Sequence, residues 1–160
     1  MSFIVRKPAN QFSTEPHPEG ITQAVCVDVL DLGMKATKFG EKHKVAFRFE
    51  TPARDSKGEP IFVRSWPYSV SLNEKANLRK DLEKWRGRPF TPAELDGFDL
   101  ESVIGAAAVL NIIHNTGDDG TVYSNVNGLF KDNAADKYKA SGRYERQKPT
   151  EATDDDEVPF

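Results

Sequence analysis

Two strand-like runs joined by a short turn, Lys44–Thr51 and Pro60–Leu72, constrain this chain more than any other stretch. In the first, Val45, Phe47 and Phe49 alternate with Lys44, Ala46, Arg48 and Glu50. A strand repeats every two residues, so the apolar set faces a core and the charged set faces away. In the second, Ile61 and Val63 alternate with Phe62, Arg64, Trp66 and Tyr68. Pro52, Asp55 and Gly58 supply turn chemistry between the runs. A face that joins an arginine to three rings suits a ligand that is anionic and flat. Single-stranded nucleic acid is both, since bases stack on rings while phosphates pair with Lys and Arg. Aromatic residues are also strand formers, and the hairpin taken alone favours plain packing under a helix or a partner. The rest of the chain moves the balance.

Ile21–Leu32 is the first convincing strand. Val25, Val27 and Val29 share one parity, and Leu30 and Leu32 then take the other, which predicts a bulge or bend. Cys26 within it reads as a buried, inert thiol. Gly33–His43 reads as a loop carrying Lys35, Lys38, Phe39 and Lys42, and it leads directly into Lys44 and Arg48. That adjacency predicts a continuous positive strip. After the hairpin, Leu78, Leu82 and Trp85 form one stripe of an amphipathic helix over Asn73–Trp85. Ser71 or Asn73 is its expected cap, with Ser71 and Glu74 at capping-box spacing. Thr91-Pro92-Ala93-Glu94 marks another helix start, and Asp99–Ile104 a short turn. Ala106–His114 and Thr121–Phe130 are the last strands, joined by the turn residues of 115–120.

The order is three strands, a helical insert and two strands. This predicts a mainly β chain built as a five-stranded oligonucleotide/oligosaccharide-binding (OB) barrel, with the insert between strands three and four. The barrel occupies 20–131, behind an irregular arm over 1–19. Residues 132–160 read as a disordered tail, because Lys131–Thr153 holds too little apolar surface to offset the entropy of ordering.

Charge is unevenly spread. The net charge is −3, but five of the 25 acids fall in 151–160, leaving 20 acids against 22 bases in a mildly basic body. A single cysteine excludes an intramolecular disulfide framework and suits a reducing cytoplasm. No stretch is long and apolar enough to read as a membrane span or signal peptide. His17, His43 and His114 are isolated, and no phosphate-binding Gly-rich loop is present, so neither a metal nor a cofactor is expected. Asp28, Asp31 and Asp118 are the weak basis for a nuclease, and binding is the better expectation.

The most specific signal is Asp154-Asp155-Asp156-Glu157-Val158-Pro159-Phe160. A run of acids that ends in an apolar ring is a peptide hook: the ring suits a small pocket, and the acids steer toward a basic rim. This heptad resembles the acidic tip of bacterial and phage single-stranded-DNA-binding proteins. Val158 stands where isoleucine or leucine is commoner, and the body lacks the usual bacterial opening strand and Gly/Gln-rich linker. The body is more similar to the compact barrels encoded by phages. The resemblance implies an OB body that binds single-stranded DNA, a tip that recruits replication, recombination and repair proteins, and a bacterial host cytoplasm. The expected DNA contacts are Lys35, Lys38, Lys42, Lys44, Arg48 and Arg64 to phosphates, with Phe39, Trp66, Tyr68 and Tyr123 stacking bases. The expected partner contacts are Asp154, Asp155, Asp156, Glu157, Val158, Pro159 and Phe160. Self-association is left open, and the alternative is a non-catalytic barrel adaptor of the replication machinery.

Overall fold

The computed structural model describes residues 15–38 and 40–146. The chain is mainly β: β1 (Gly20–Thr37), β2 (Gly40–Arg54), β3 (Pro60–Arg64), β4 (Tyr68–Ser69), β5 (Ala107–Thr116) and β6 (Val122–Phe130). Helices α1 (Asn77–Arg86) and α2 (Pro92–Asp96), with a 3-10 turn over Leu100–Val103, fall between β4 and β5. All pairings are antiparallel, in the order β3-β2-β1-β5-β6, with β4 also on β2. The ladder does not close into a ring among the described residues, although the end strands β3 and β6 approach each other. No described helix is long and apolar enough to cross a membrane.

Alternation in β2 works as the sequence pattern requires. Val45, Phe47 and Phe49 turn inward and are fully buried. The stripe Leu78, Leu82 and Trp85 of α1 packs over them. Trp85 meets Phe47 and Phe49 edge-on, with ring centroids 5.6 and 5.5 Å apart, and its indole N–H donates to the Ala107 carbonyl at 2.8 Å. That bond satisfies the one polar atom of the ring inside the core. Cys26 lies on the same inner face, and burial pushes its thiol up to about 12.

Local signals were honoured unevenly. Thr91 and Glu94 form the expected reciprocal capping box of α2. Helix α1 instead begins at Ala76 without a side-chain cap. Ser71 and Asn73, the expected caps, accept from the amides of Asn73 and Lys75, two residues ahead of each. These local turns compete with capping for the same side chains. In β1 the shift of parity appears as two irregularities, between Cys26 and Asp28 and between Asp31 and Gly33.

The largest departure is at 33–43. These residues form no open loop but continue β1 and β2 into a long hairpin arm, paired from Gly33↔Lys44 to Thr37↔Gly40. Gly40, paired with Thr37 at the end of the arm, has a φ of +102°, in a region open to glycine.

Residues 15–19 cross the gap between the sheet ends. The His17 amide donates to Ser124 Oγ of β6 at 2.7 Å, and its ring bonds Thr51 of β2 at 2.5 Å. Since a carbonyl only accepts, Nδ1–H donates to the Pro18 carbonyl, leaving Nε2 to accept from Thr51. His114 Nε2 donates to the His17 carbonyl.

Two outcomes follow from this packing. Trp85→Ala removes the ring that joins α1 to the sheet and is expected to cost about 3–5 kcal/mol in denaturant unfolding. Burial holds the His17 pKa below its usual 6.5, so the unfolded chain binds the extra proton first. The stabilisation from His17 is therefore complete above that value and lost as pH falls below it. Unfolding free energy should decline from about pH 7 to pH 5, with a shallower decline in His17→Gln.

Candidate functional site

The outer face of β2 carries Lys42, Lys44, Ala46, Arg48 and Glu50, because the strand keeps its alternation through this stretch. Register adds Lys35 opposite Lys42, Arg64 opposite Arg48, and Phe62 opposite Glu50. Five of the six expected cations thus share one face, and Lys38 is exposed near the tip of the arm. Like charges set directly opposite, as Lys35 and Lys42 are, destabilise a bare hairpin. An anion laid across the arm would relieve that repulsion.

The end of β3 determines where the rings go. The chain leaves the ladder after Arg64, and Pro67 can donate no backbone hydrogen bond. Ser65 bridges the break: its amide donates to the Phe47 carbonyl at 2.8 Å, and its hydroxyl accepts from the Phe47 amide at 2.9 Å. Trp66 is thereby thrown outward and stays 54% exposed. Pairing resumes one residue out of step, with Tyr68 opposite Val45 where unbroken register would set Pro67 there. A one-residue slip reverses the face of everything beyond it.

Tyr68 is the casualty of that slip. Expected as a stacking ring, it is instead a core residue packed on Phe47, and its hydroxyl donates to Asp81 at 2.6 Å. Burial, and then the Asp81 bond, raise its pKa. Lys44 is partly engaged as well, donating to Ser69 of β4.

Arg48, Arg64, Trp66 and Tyr123 come together. They line one groove of about 340 Å³ between β3 and β6, floored by Phe62 and bounded by His17 and Ser124. Tyr123 is 51% exposed, so two open rings and two guanidinium groups face the same space. Burial lowers the Arg48 pKa, and the neighbouring Arg64 lowers it further. Phe39 and Asp154–Phe160 lie outside the described residues.

Two buried carboxylates on this face were not expected, and they reorganise the C-terminal segment. Glu50 and Asp28 are both fully buried. Glu50 accepts from the Tyr138 hydroxyl at 2.7 Å and from the Ser141 amide, with Arg54 3.7 Å away. Asp28 accepts from Tyr144 at 2.6 Å and from Arg146 at 2.9 Å, and Arg146 also grips Glu101. Tyr144 packs edge-on against Phe62 with centroids 5.1 Å apart. The segment expected to be a free tether from 132 is therefore strapped to the sheet as far as Arg146. The expectation failed because it weighed aliphatic content, whereas the anchors here are polar groups answering buried acids.

Asp28, Asp31 and Asp118 each have a separate setting. Asp28 is engaged by the strap, Asp31 bonds His43 at 2.7 Å, and Asp118 sits in the β5–β6 turn. No group of three His, Cys, Asp or Glu among the described residues could hold a metal ion. The chain matches no family model, and no curated protein matches it in sequence.

Removing the Tyr144 hydroxyl tests the strap. Tyr144→Phe leaves Asp28 short of one donor and is expected to cost about 1–3 kcal/mol in urea unfolding. Hydrogen exchange at the Ser141 amide should accelerate in the same variant, because the segment is held at both carboxylates together.

Proposed function

We propose that this chain is a non-catalytic protein that binds single-stranded DNA without sequence preference, in DNA replication, recombination or repair. The observation that carries the reading is the groove where Arg48, Arg64, Trp66 and Tyr123 converge, continuous with the face that holds Lys35, Lys42 and Lys44. Each half of a nucleotide has a counterpart there: rings accept any base by stacking, and cations track the phosphates. Hydrogen-bond readout of base edges plays no part in such a site, so sequence preference is weak.

The architecture favours the same reading. Strand β1 pairs with both β2 and β5, and the helices fall before β5, as in an OB barrel whose closing seam lies between β3 and β6. In that arrangement the groove runs along the seam, with the hairpin arm as an extended flank. The tip Asp154–Phe160 recruits other proteins of DNA metabolism, a role that rests on its resemblance to the tips of bacterial and phage single-stranded-DNA-binding proteins. The similarity of the body to the compact barrels encoded by phages supports a bacterial cytoplasm as its setting.

One observation favours an adaptor instead. Neither β3 nor β6 has a second ladder partner among the described residues, and an extended peptide can add to such an edge. A peptide bound by backbone pairing would be nearly indifferent to salt. For DNA, affinity should fall with salt at a log–log slope of about −0.7 per contacted phosphate. Fluorescence anisotropy with labelled oligo(dT) measures this, and Trp66→Ala should lose about 1–3 kcal/mol of binding while its unfolding midpoint stays unchanged. Salt-insensitive binding, or full affinity in Trp66→Ala, would remove the DNA reading of this groove.

A further inference from the structure

Strands β5 and β6 contain no Asp, Glu, Lys or Arg. Register sets Tyr123, Asn125, Gly128 and Phe130 of β6 on one face, turned away from the core and paired with the outward residues of β5. Tyr123 belongs to the groove between β3 and β6. Phe130 lies about 20–24 Å further along, at the ordinary rise of a strand. Gly128 admits that second ring, since a Cβ there would stand 2.6 Å from it. Phe130 remains 40% exposed, with the Lys84 ammonium 5.2 Å from its centroid. The face therefore carries an open ring at each end and no charged side chain of β5 or β6 between them.

Cations gather at the far end as they do at the near one. Lys80, Lys84 and Arg88 line one shallow concavity where α1 stops, and the stem of Lys131 fills the space that a side chain at Gly87 would need. Arg88 and Lys131 also line a second concavity, of about 490 Å³, whose wall holds Trp85 and Phe98 among four cations and two carboxylates. A helix C-terminus attracts cations, which accounts for Lys84 in the last turn of α1. It does not account for Lys80 a turn earlier, or for the exposed ring. The nearby acids are engaged: Asp81 accepts from Tyr68, Glu83 from Arg79 and the Phe90 amide, and Glu94 from Arg86.

We infer that a single strand held in the groove runs on over the outer face of β5 and β6 to a second anchor at the end of α1, where Phe130 stacks a base and Lys84, Arg88 and Lys131 take phosphates. Cations and an open ring stand together at both ends of this path, as a strand with alternating bases and phosphates requires. An acid on the intervening strands would repel the backbone, and β5 and β6 have none. A base over Phe130 takes the place of the Lys84 ammonium, which passes to the adjoining phosphate, so ring and cation serve one nucleotide. The inference rests on the proposed DNA binding and extends it to a surface outside the groove.

The test compares labelled oligo(dT) of about 4 and about 16 nucleotides, the limits for one OB fold, at low salt. The proteins are wild type, Trp66→Ala, Phe130→Ala and the double variant Lys84→Gln with Arg88→Gln, whose two side chains are 52% and 61% exposed. In Phe130→Ala and in the double variant, the gain in affinity from the short to the long strand should shrink about five-fold or more, the share of one stacked base. The double variant should also flatten the log–log salt slope for the long strand by about 1.4, for two lost phosphates. The length of poly(dT) occluded per protein should shorten in both. An unchanged gain and an unchanged occluded length in the double variant overturn the inference and leave the face to another protein. Equal loss for both lengths also overturns it, because the variant then acts on the groove. If only Trp66→Ala loses affinity, the groove stands without its extension; full affinity in Trp66→Ala removes the groove and the extension with it.

Discussion

Glu50 has no exposed surface, and Asp28, which pairs with Arg48 on the same face of the sheet, has none either. A carboxylate taken out of water is tolerated only when hydrogen bonds and counter-charges replace what water supplied. Strand β2 supplies Arg54 beside Glu50, but the backbone groups of β1 and β2 are spent on the ladder. The donors come from far along the chain: Tyr138, Ser141, Tyr144 and Arg146. The two acids thus decide the course of the C-terminal segment. They also limit how far the outer face of the sheet is open, since Phe62 is shared between the groove and Tyr144.

Inner and outer faces of β2 were not equally legible. The inner face announced itself, because Val45, Phe47 and Phe49 could do little else but build a core, and the stripe of α1 matched it. Arg48 and Arg64 were placed by the same parity. Tyr68 was misplaced because parity is reliable only while register holds, and the slip around Trp66–Pro67 breaks it. Proline in the middle of a supposed strand was the available warning. The arm over 33–43 was hidden by its lysines and glycines, which resemble a loop in composition yet pair residue by residue. Nothing local marked Glu50 or Asp28 as buried, since these hydrogen-bond donors lie 88 to 118 positions away in sequence.

Two sites of opposite construction result. Along β3 and β6, exposed rings stand beside cations in an open groove. Beside α1, rings are sunk into a wall that four cations and two carboxylates also line. The strap over 132–146 borders both, since Tyr144 meets Phe62 at one end while Asp132 and Lys137 line the second pocket. The groove along β3 and β6 and the pocket beside α1 share no lining residue and are therefore different surfaces of one small body.

The central claim is that bases stack on Trp66 in the groove while Trp85 stays in the core. Titration of tryptophan fluorescence with oligo(dT) tests it directly, using Trp66→Phe and Trp85→Phe as single-tryptophan proteins. The account predicts saturable quenching in Trp85→Phe, where only Trp66 emits, and almost none in Trp66→Phe. Quenching that persists in Trp66→Phe, or its absence from every form of the protein, would contradict it.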